Sequence, residues 1–213
     1  MEVEKERLIQ RLRRNGYLQS ETVIEAMSAI PREQFIPQQQ RRQAYADTPL
    51  PIGHEQTISA PHMVAIMAEA LQLERGHTVL EVGTGAGYHA AVVAHIVTGG
   101  HVYTVERVPD LAAKARRNFQ QLSIDNVTVV VGDGSQGLPE HAPYHRIYAT
   151  CAAPRIPDTL TEQLARDGKL LLPVGQRACR LVLIEKNEEL HRTDLGGCAF
   201  VPMVSDGGNR GHH

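Results

Sequence analysis

The chain has 213 residues, 42% of them hydrophobic, with 22 Lys and Arg against 24 Asp and Glu. That length and apolar content support one substantial core, and the near balance of charge lacks the basic stripe that a nucleic-acid binder needs. No apolar run approaches the roughly 20 residues of a membrane helix, and the charged segment Met1–Arg14 has no apolar centre of the kind a secretory signal carries.

Cys151, Cys179 and Cys198 are odd in number, far apart and without a Cys-x-x-Cys pair, which argues against a zinc site or disulfide framework and suits a reducing, cytoplasmic compartment. The histidines show no metal-ligand spacing, so no metal is expected. The eight Lys/Arg and six Asp/Glu among the first 45 residues read as a solvated helix face.

In chain order, Val3, Leu8, Ile9 and Leu12 recur at helical spacing over residues 3–14, and Asn15-Gly16 ends that helix. A second helix is expected from about Ser20 to Ile30, stopped by Pro31. Residues 31–61 are rich in Pro, Gln and Gly and read as a long irregular connection, of a length that is often functional. A helix follows Pro61, with Met63, Ile66, Met67 and Ala70 on one face.

From residue 77 strands and helices alternate. Strand-like runs occupy His77–Val82, His101–Glu106, Val127–Val131, His145–Thr150, Lys169–Val174 and Arg180–Glu185, with helices over Tyr88–Val97, Asp110–Leu122 and Asp158–Ala165. This alternation predicts an α/β fold, a mostly parallel sheet with helices on both faces. A last strand near Cys198–Val204 follows the charged turn at Asn187–Glu189 and is expected to pair antiparallel. The organisation reads as one compact unit: a helical extension over 1–76, an α/β part over 77–206 and a disordered tail over 207–213.

The central signal is Val79-Leu80-Glu81-Val82-Gly83-Thr84-Gly85-Ala86-Gly87, a buried strand running into a glycine turn and a helix. Glycines allow a tight turn and a close ligand approach, at the carboxyl end of the strands where α/β sheets bind ligands. The dinucleotide pattern would want its third glycine at position 88, which is Tyr88. Glu81 at the strand end suits a ligand carrying an ammonium group and opposes a pyrophosphate. Those two features favour S-adenosylmethionine over a nicotinamide dinucleotide. Glu106, 19 residues beyond Gly87 at the end of the second strand, can accept from ribose hydroxyls. Gly132-Asp133-Gly134, after the third strand, can meet the adenine amino group.

Several further segments resemble the protein-L-isoaspartate (D-aspartate) O-methyltransferase family over nearly the whole chain, from about Gly16 to Met203. They are Gln56-Thr57-Ile58-Ser59-Ala60-Pro61-His62-Met63, Ala152-Ala153-Pro154 with Ile156-Pro157, Leu172-Pro173-Val174-Gly175 and Phe200-Val201-Pro202. The resemblance implies a Rossmann-like S-adenosylmethionine-dependent methyltransferase fold and a monomer. It also implies methylation of the free carboxylate of L-isoaspartyl and D-aspartyl residues in damaged proteins, with S-adenosylhomocysteine as product. Carried over residue by residue, it makes Ser59 the active-site serine and Thr57, Ile58, Ser59, Ala60 and Val201 the substrate side. Glu81, Gly83, Thr84, Gly85, Gly87, Glu106, Arg107, Gly132, Asp133 and Gly134 form its donor side. The chain departs from the family at Glu55, where bacterial relatives usually have Gly, at His145, where Asp is normal, and at Cys151, where a small uncharged residue is usual.

The chemistry asks for little else. A carboxylate with a pKa of about 4 is already an ionised nucleophile near neutral pH, so no general base is needed. Taken alone, Ser59 reads as a helix N-cap ahead of Pro61. Other readings that keep the donor site are a methyltransferase for a specialised peptide or small-molecule carboxylate, and a non-catalytic donor-binding module. A dehydrogenase is opposed by Tyr88 and Glu81.

Overall fold

The structure is a computed structural model that describes residues 1–176 and 178–204. The expected disordered tail over 207–213, and the last two residues of the expected α/β part, lie outside the described residues.

Helix α1 spans Glu2–Arg14 and buries Leu8 and Leu12, whereas Val3 is exposed. Gly16, at φ +75°, takes the left-handed position just past its end. Ser20 caps α2 (Glu21–Ala29) by accepting from Val23 N at 3.4 Å. The stretch expected to be irregular is more ordered than its composition suggests. It holds two 3-10 turns, Arg32–Phe35 and Gln38–Gln43, and a small antiparallel hairpin of β1 (Leu50–Gly53) and β2 (Gln56–Ile58). Its hairpin turn places His54 and Glu55 at φ 54° and 58°, a left-handed conformation that glycine adopts more readily.

Helix α3 (Pro61–Leu71) buries Val64, Ala65, Met67, Ala68 and Leu71, while Met63, Ile66 and Ala70 are only partly buried. The helix is apolar nearly all round, so periodicity could not identify its inner face. Asp47 secures its first turn, Oδ1 accepting from both His62 N and His62 Nδ1 at 2.9 Å.

The main sheet has the order β5-β4-β3-β6-β7-β8-β9. Strands β3 (Thr78–Val82), β4 (His101–Glu106), β5 (Val127–Val131), β6 (Tyr144–Ala149) and β7 (Leu164–Gly175) run parallel, and β8 (Cys179–Lys186) and β9 (Leu190–Cys198) each reverse direction. The alternation of strand residues splits the core into two layers. Val79, Val102, Tyr148 and Leu171 meet α1 to α3, α4 (Tyr88–Ile96) and α5 (Pro109–Gln121). Leu80, Val82, Ile147 and Leu170 meet α6 (Asp158–Glu162) and the turn at Leu138 on the other face. Helices cover both faces, but unequally. No helix among the described residues is long and apolar enough to cross a membrane.

The elements that differ most from expectation are α6, β7, which begins at Leu164 rather than Lys169, and the last strand. Helix α6 stops at Glu162, three residues early, because Leu164 already pairs with Tyr144. The last strand is Leu190–Cys198 rather than Cys198–Val204. It pairs antiparallel as expected, but it is largely exposed and gives no apolar alternation. The apolar run after it instead crosses the sheet end as a strap: Ala152 N donates to Val201 O and Met203 N to Ala152 O, both at 2.7 Å. Cys179 and Cys198, distant in sequence, are cross-strand partners and both are free thiols.

Arg32, fully buried, ties the segment ahead of the hairpin together and against α4. Its Nε donates to Ala44 O at 2.8 Å and its Nη2 to Thr48 O at 3.4 Å, and its guanidinium lies 5.1 Å from the centre of the Tyr88 ring. Burial pushes its pKa down to about 10, so it stays charged near neutral pH. Truncation by Arg32→Ala leaves two carbonyls without their partner and opens a cavity. A loss of about 3 kcal/mol in urea unfolding is expected.

Candidate active site

The strand order reverses at β3, which has β4 on one side and β6 on the other, and the crevice at such a switch point is where open α/β sheets take ligands. Backbone pairing continues past the strands: Gly83 N donates to Val105 O, and Thr150 N to Val82 O, both at 2.9 Å. The turn after β3 is thereby held rigidly beneath an open cleft of about 940 Å³, solvent at its mouth included. The turn itself requires glycine. Gly83 sits at φ +97°, where a Cβ would overlap Thr150 Oγ1. Gly87 sits at φ +95°, where a Cβ would lie 2.7 Å from the Phe119 ring.

Two acids serve this turn in different ways. Glu106 binds the backbone on both sides of the cleft, Oε2 accepting from Gly85 N at 2.8 Å and Oε1 from Val108 N at 2.9 Å. Each oxygen keeps a lone pair for another donor. Glu81 is fully buried and stands in one row with its register partners Thr104 on β4 and Tyr148 on β6. Thr104 Oγ1 donates to Glu81 Oε2 at 2.5 Å, Tyr148 Oη donates to Oε1 at 2.8 Å, and Thr84 Oγ1 stands 2.6 Å from Thr104 Oγ1. Burial pushes the Glu81 carboxyl up from 4.5 to about 8, opposed by its two hydroxyl donors and assisted by the Glu106 charge.

The structure brings most of the sequence-derived residues to one place. Thr57, Ile58, Ser59, Glu81, Gly83, Thr84, Gly85, Glu106, Arg107, Gly134 and Val201 line the cleft. Ala60, Gly87, Gly132 and Asp133 do not. Ala60 is the N-cap residue of α3, Gly87 packs on Phe119, and Asp133 caps the following 3-10 turn by accepting from Ser135 N at 2.9 Å. The plain N-cap reading of Ser59 fails: Ala60 occupies that position, without a side-chain cap, and Asp47 supplies the acceptor. Ser59 therefore faces the cleft with a hydroxyl that caps nothing. Arg107 Nη1 donates to Val204 O at 3.2 Å, fastening the strap to the turn after β4.

Sequence reasoning passed over His89 and Thr150 and named Cys151 only as a departure from the family pattern; all three line the cleft. His89 follows the glycine turn by two residues, but nothing in a linear pattern reveals that α4 turns its ring inward. Burial holds the His89 imidazole down to about 3 and pushes the Cys151 thiol up to about 12, so neither is ionised near neutral pH. A thiol held in that form is a poor nucleophile.

The sequence profile of protein-L-isoaspartate(D-aspartate) O-methyltransferase matches residues 3–208. The chain belongs to this family. A protein-L-isoaspartate O-methyltransferase of Methanothermobacter thermautotrophicus is 52% identical over 214 residues, covering 98% of this chain and 99% of that one. Its counterpart in Methanopyrus kandleri is 53% identical over 209 residues, covering 96% and 92%. Among solved structures, a Plasmodium falciparum chain described as a protein-L-isoaspartate O-methyltransferase, in complex with S-adenosyl-L-homocysteine, matches with a TM-score of 0.84 at 28% identity, covering 92% of this chain and 96% of that one. Another protein-L-isoaspartate O-methyltransferase matches with a TM-score of 0.88 at 32% identity, covering 96% and 67%. Both solved relatives share the fold over more than nine-tenths of this chain.

The environment of Glu81 has a consequence for stability. Its folded pKa lies above its unfolded value, so the native state holds a proton that the unfolded chain releases, and that contribution disappears as pH rises from 4.5 to about 8. Glu81→Gln has no such proton to lose. Urea unfolding without ligand at about pH 6.5 and pH 8.5 is expected to show the wild type falling by about 2 kcal/mol relative to the variant.

Proposed function

We infer that this chain transfers a methyl group from S-adenosylmethionine to the free carboxylate of L-isoaspartyl and D-aspartyl residues in damaged peptides and proteins. The observation that carries the inference is the meeting, in one cleft, of the glycine turn with Glu106 and the segment Thr57-Ile58-Ser59, in a chain of this family. The structural relative that holds S-adenosyl-L-homocysteine supports the donor assignment.

The residues present suit that donor. Glu106 offers the remaining lone pairs of its two oxygens to the ribose hydroxyls, and Gly134, beyond β5, continues the same line toward the adenine. Gly132 and Asp133 shape that turn from outside the cleft lining, and Gly87 sets the start of α4. Bound S-adenosylmethionine supplies a methyl group already activated by a sulfonium centre. The chain's own task is alignment, which can contribute several kcal/mol. Ser59 orients the acceptor carboxylate through one hydroxyl, with Thr57, Ile58 and Ala60 shaping its loop and Val201 covering the peptide from the strap. A cation such as Arg in place of Ser59 would stabilise the carboxylate before reaction and blunt its attack. Residues 1–76 carry the acceptor loop, and 77–206 carry the donor site together with the strap that closes over the acceptor. Three free thiols suit a cytoplasmic enzyme, which we take to act as a monomer.

The deciding test offers labelled S-adenosylmethionine and two peptides that differ only in isoaspartyl or normal aspartyl linkage. Label in the isoaspartyl peptide alone, as a base-labile ester, is expected; donor binding without label in either peptide would sink the acceptor assignment. Ser59→Ala is expected to lower kcat about 10- to 100-fold while donor affinity changes less than about twofold. Glu106→Ala, by contrast, is expected to weaken donor binding by about tenfold or more in a calorimetric titration.

A further inference from the structure

Cys179 opens β8 and Cys198 closes β9, and the two are Cα partners in the antiparallel ladder. Directly opposed residues on neighbouring strands turn their side chains to the same face, with Cα atoms about 4.5 or 5.5 Å apart. Both spacings fall inside the range of about 4.4–6.8 Å that a disulfide spans. Cys179 is buried and Cys198 half-buried, both thiols are free, and neither lines the cleft. Burial first, and then the neighbouring Cys179, raise the Cys198 thiol to about 11. The third cysteine, Cys151, stands apart at the end of β6, its thiol directed at Val82 O at 3.8 Å. The ladder thus makes a pair of two cysteines that the sequence keeps far apart.

The place of the pair gives it a task. The strap follows Cys198 directly, and its Val201, Pro202, Met203 and Val204 line the cleft. Beyond Phe200 the strap is tied to Ala152 by two backbone hydrogen bonds and to Arg107 by a third contact. Its root is held less firmly. Strand β9 is the edge of the sheet, paired with β8 alone and largely exposed, and its register with β8 shifts between Arg180 and Val182. Strand β8, by contrast, is mostly buried and paired on both sides. A covalent bond at Cys198 would join the root of the strap to that firmer strand.

We propose that Cys179 and Cys198 are a reversible redox pair that closes into a cross-strand disulfide and anchors the root of the strap. The oxidant is a small-molecule disulfide such as oxidised glutathione. Cys198, the more exposed of the two, loses its proton and attacks one sulfur of that disulfide, expelling one thiolate. Cys179 then loses its proton, attacks the Cys198 sulfur of the mixed disulfide and expels the second thiolate. Two protein thiols are oxidised to one disulfide, and the small disulfide is reduced to two thiols. In a reducing compartment the pair rests open, and it closes on an oxidising shift. Closure does not depend on the methyl-transfer reading, so the two stand or fall separately.

The test equilibrates the full, ligand-free chain with oxidised or reduced glutathione at about pH 8.5, since a thiol raised by burial exchanges slowly near neutral pH. Under oxidised glutathione the chain is expected to become two hydrogen atoms lighter, with a peptide map that joins Cys179 to Cys198, and dithiothreitol is expected to restore both thiols. The oxidised chain is expected to melt about 4 °C or more above the reduced one. Amide hydrogen exchange over residues 198–203 is expected to slow by about threefold or more. Cys198→Ala, at a half-buried position, is expected to melt within about 2 °C of the reduced wild type and to gain nothing under oxidation. A stable glutathione adduct without closure overturns the proposal, as does a link through Cys151 or between two chains. Closure that leaves both melting and strap exchange unchanged overturns it too, because the pair would then anchor nothing. The wild-type peptide map decides closure even if the variant proves unstable.

Discussion

A carboxyl group in the middle of a parallel sheet is tolerated only if donors meet its oxygens. Glu81 meets that condition through its neighbours in register, Thr104 on β4 and Tyr148 on β6. Three strands must therefore stay in one alignment, since a slip of one residue would turn Thr104 or Tyr148 to the opposite face. The same alignment sets the ends of β3, β4 and β6 side by side, and those ends form the cleft floor. Thr84 extends the row from the sheet into the glycine turn. The turn thus inherits its position from a polar row within the core.

Glu106 acts one layer higher. By binding Gly85 N and Val108 N it joins the turn after β3 to the turn after β4. Arg107, the next residue, ties the strap to that second turn. On the opposite wall, Arg32 and Asp47 hold the approach to the hairpin and the start of α3. The candidate reaction needs no proton transfer from the protein, and the polar contacts are spent accordingly. They fix backbone and orientation, and the cleft keeps a hydroxyl where the acceptor is expected.

Much of the cleft around the glycine turn was legible because its signals are local. A glycine turn after an apolar strand, and acids at the ends of the next strands, can be seen without knowing the tertiary structure. Ser59 was legible only through the family resemblance, because taken alone it looks like a helix cap, a role that the structure gives to the distant Asp47. Thr104 and Tyr148 were not legible. Their importance lies in which strand stands beside which, and a sequence does not display sheet order. The misplaced last strand has a related cause: in the apolar run after β9, Val201 and Pro202 line the cleft, whereas the true edge strand β9 is largely exposed and polar.

The cleft is lined from four separate stretches of the chain: residues 52–64, 81–134, 150–151 and 201–204. In the proposed reading the donor lies along 81–134, and the acceptor meets the hairpin and the strap. Neither acceptor piece interrupts the strand–turn–helix units that carry the glycine turn and the two acids. Retargeting can therefore proceed at the periphery: a recombined hairpin or a regrafted strap would present a new carboxylate to an unaltered methyl donor. For divergence within such a scaffold, the region free to drift is the hairpin and strap, and the region held fixed is the row from Tyr148 through Glu81 to Thr104.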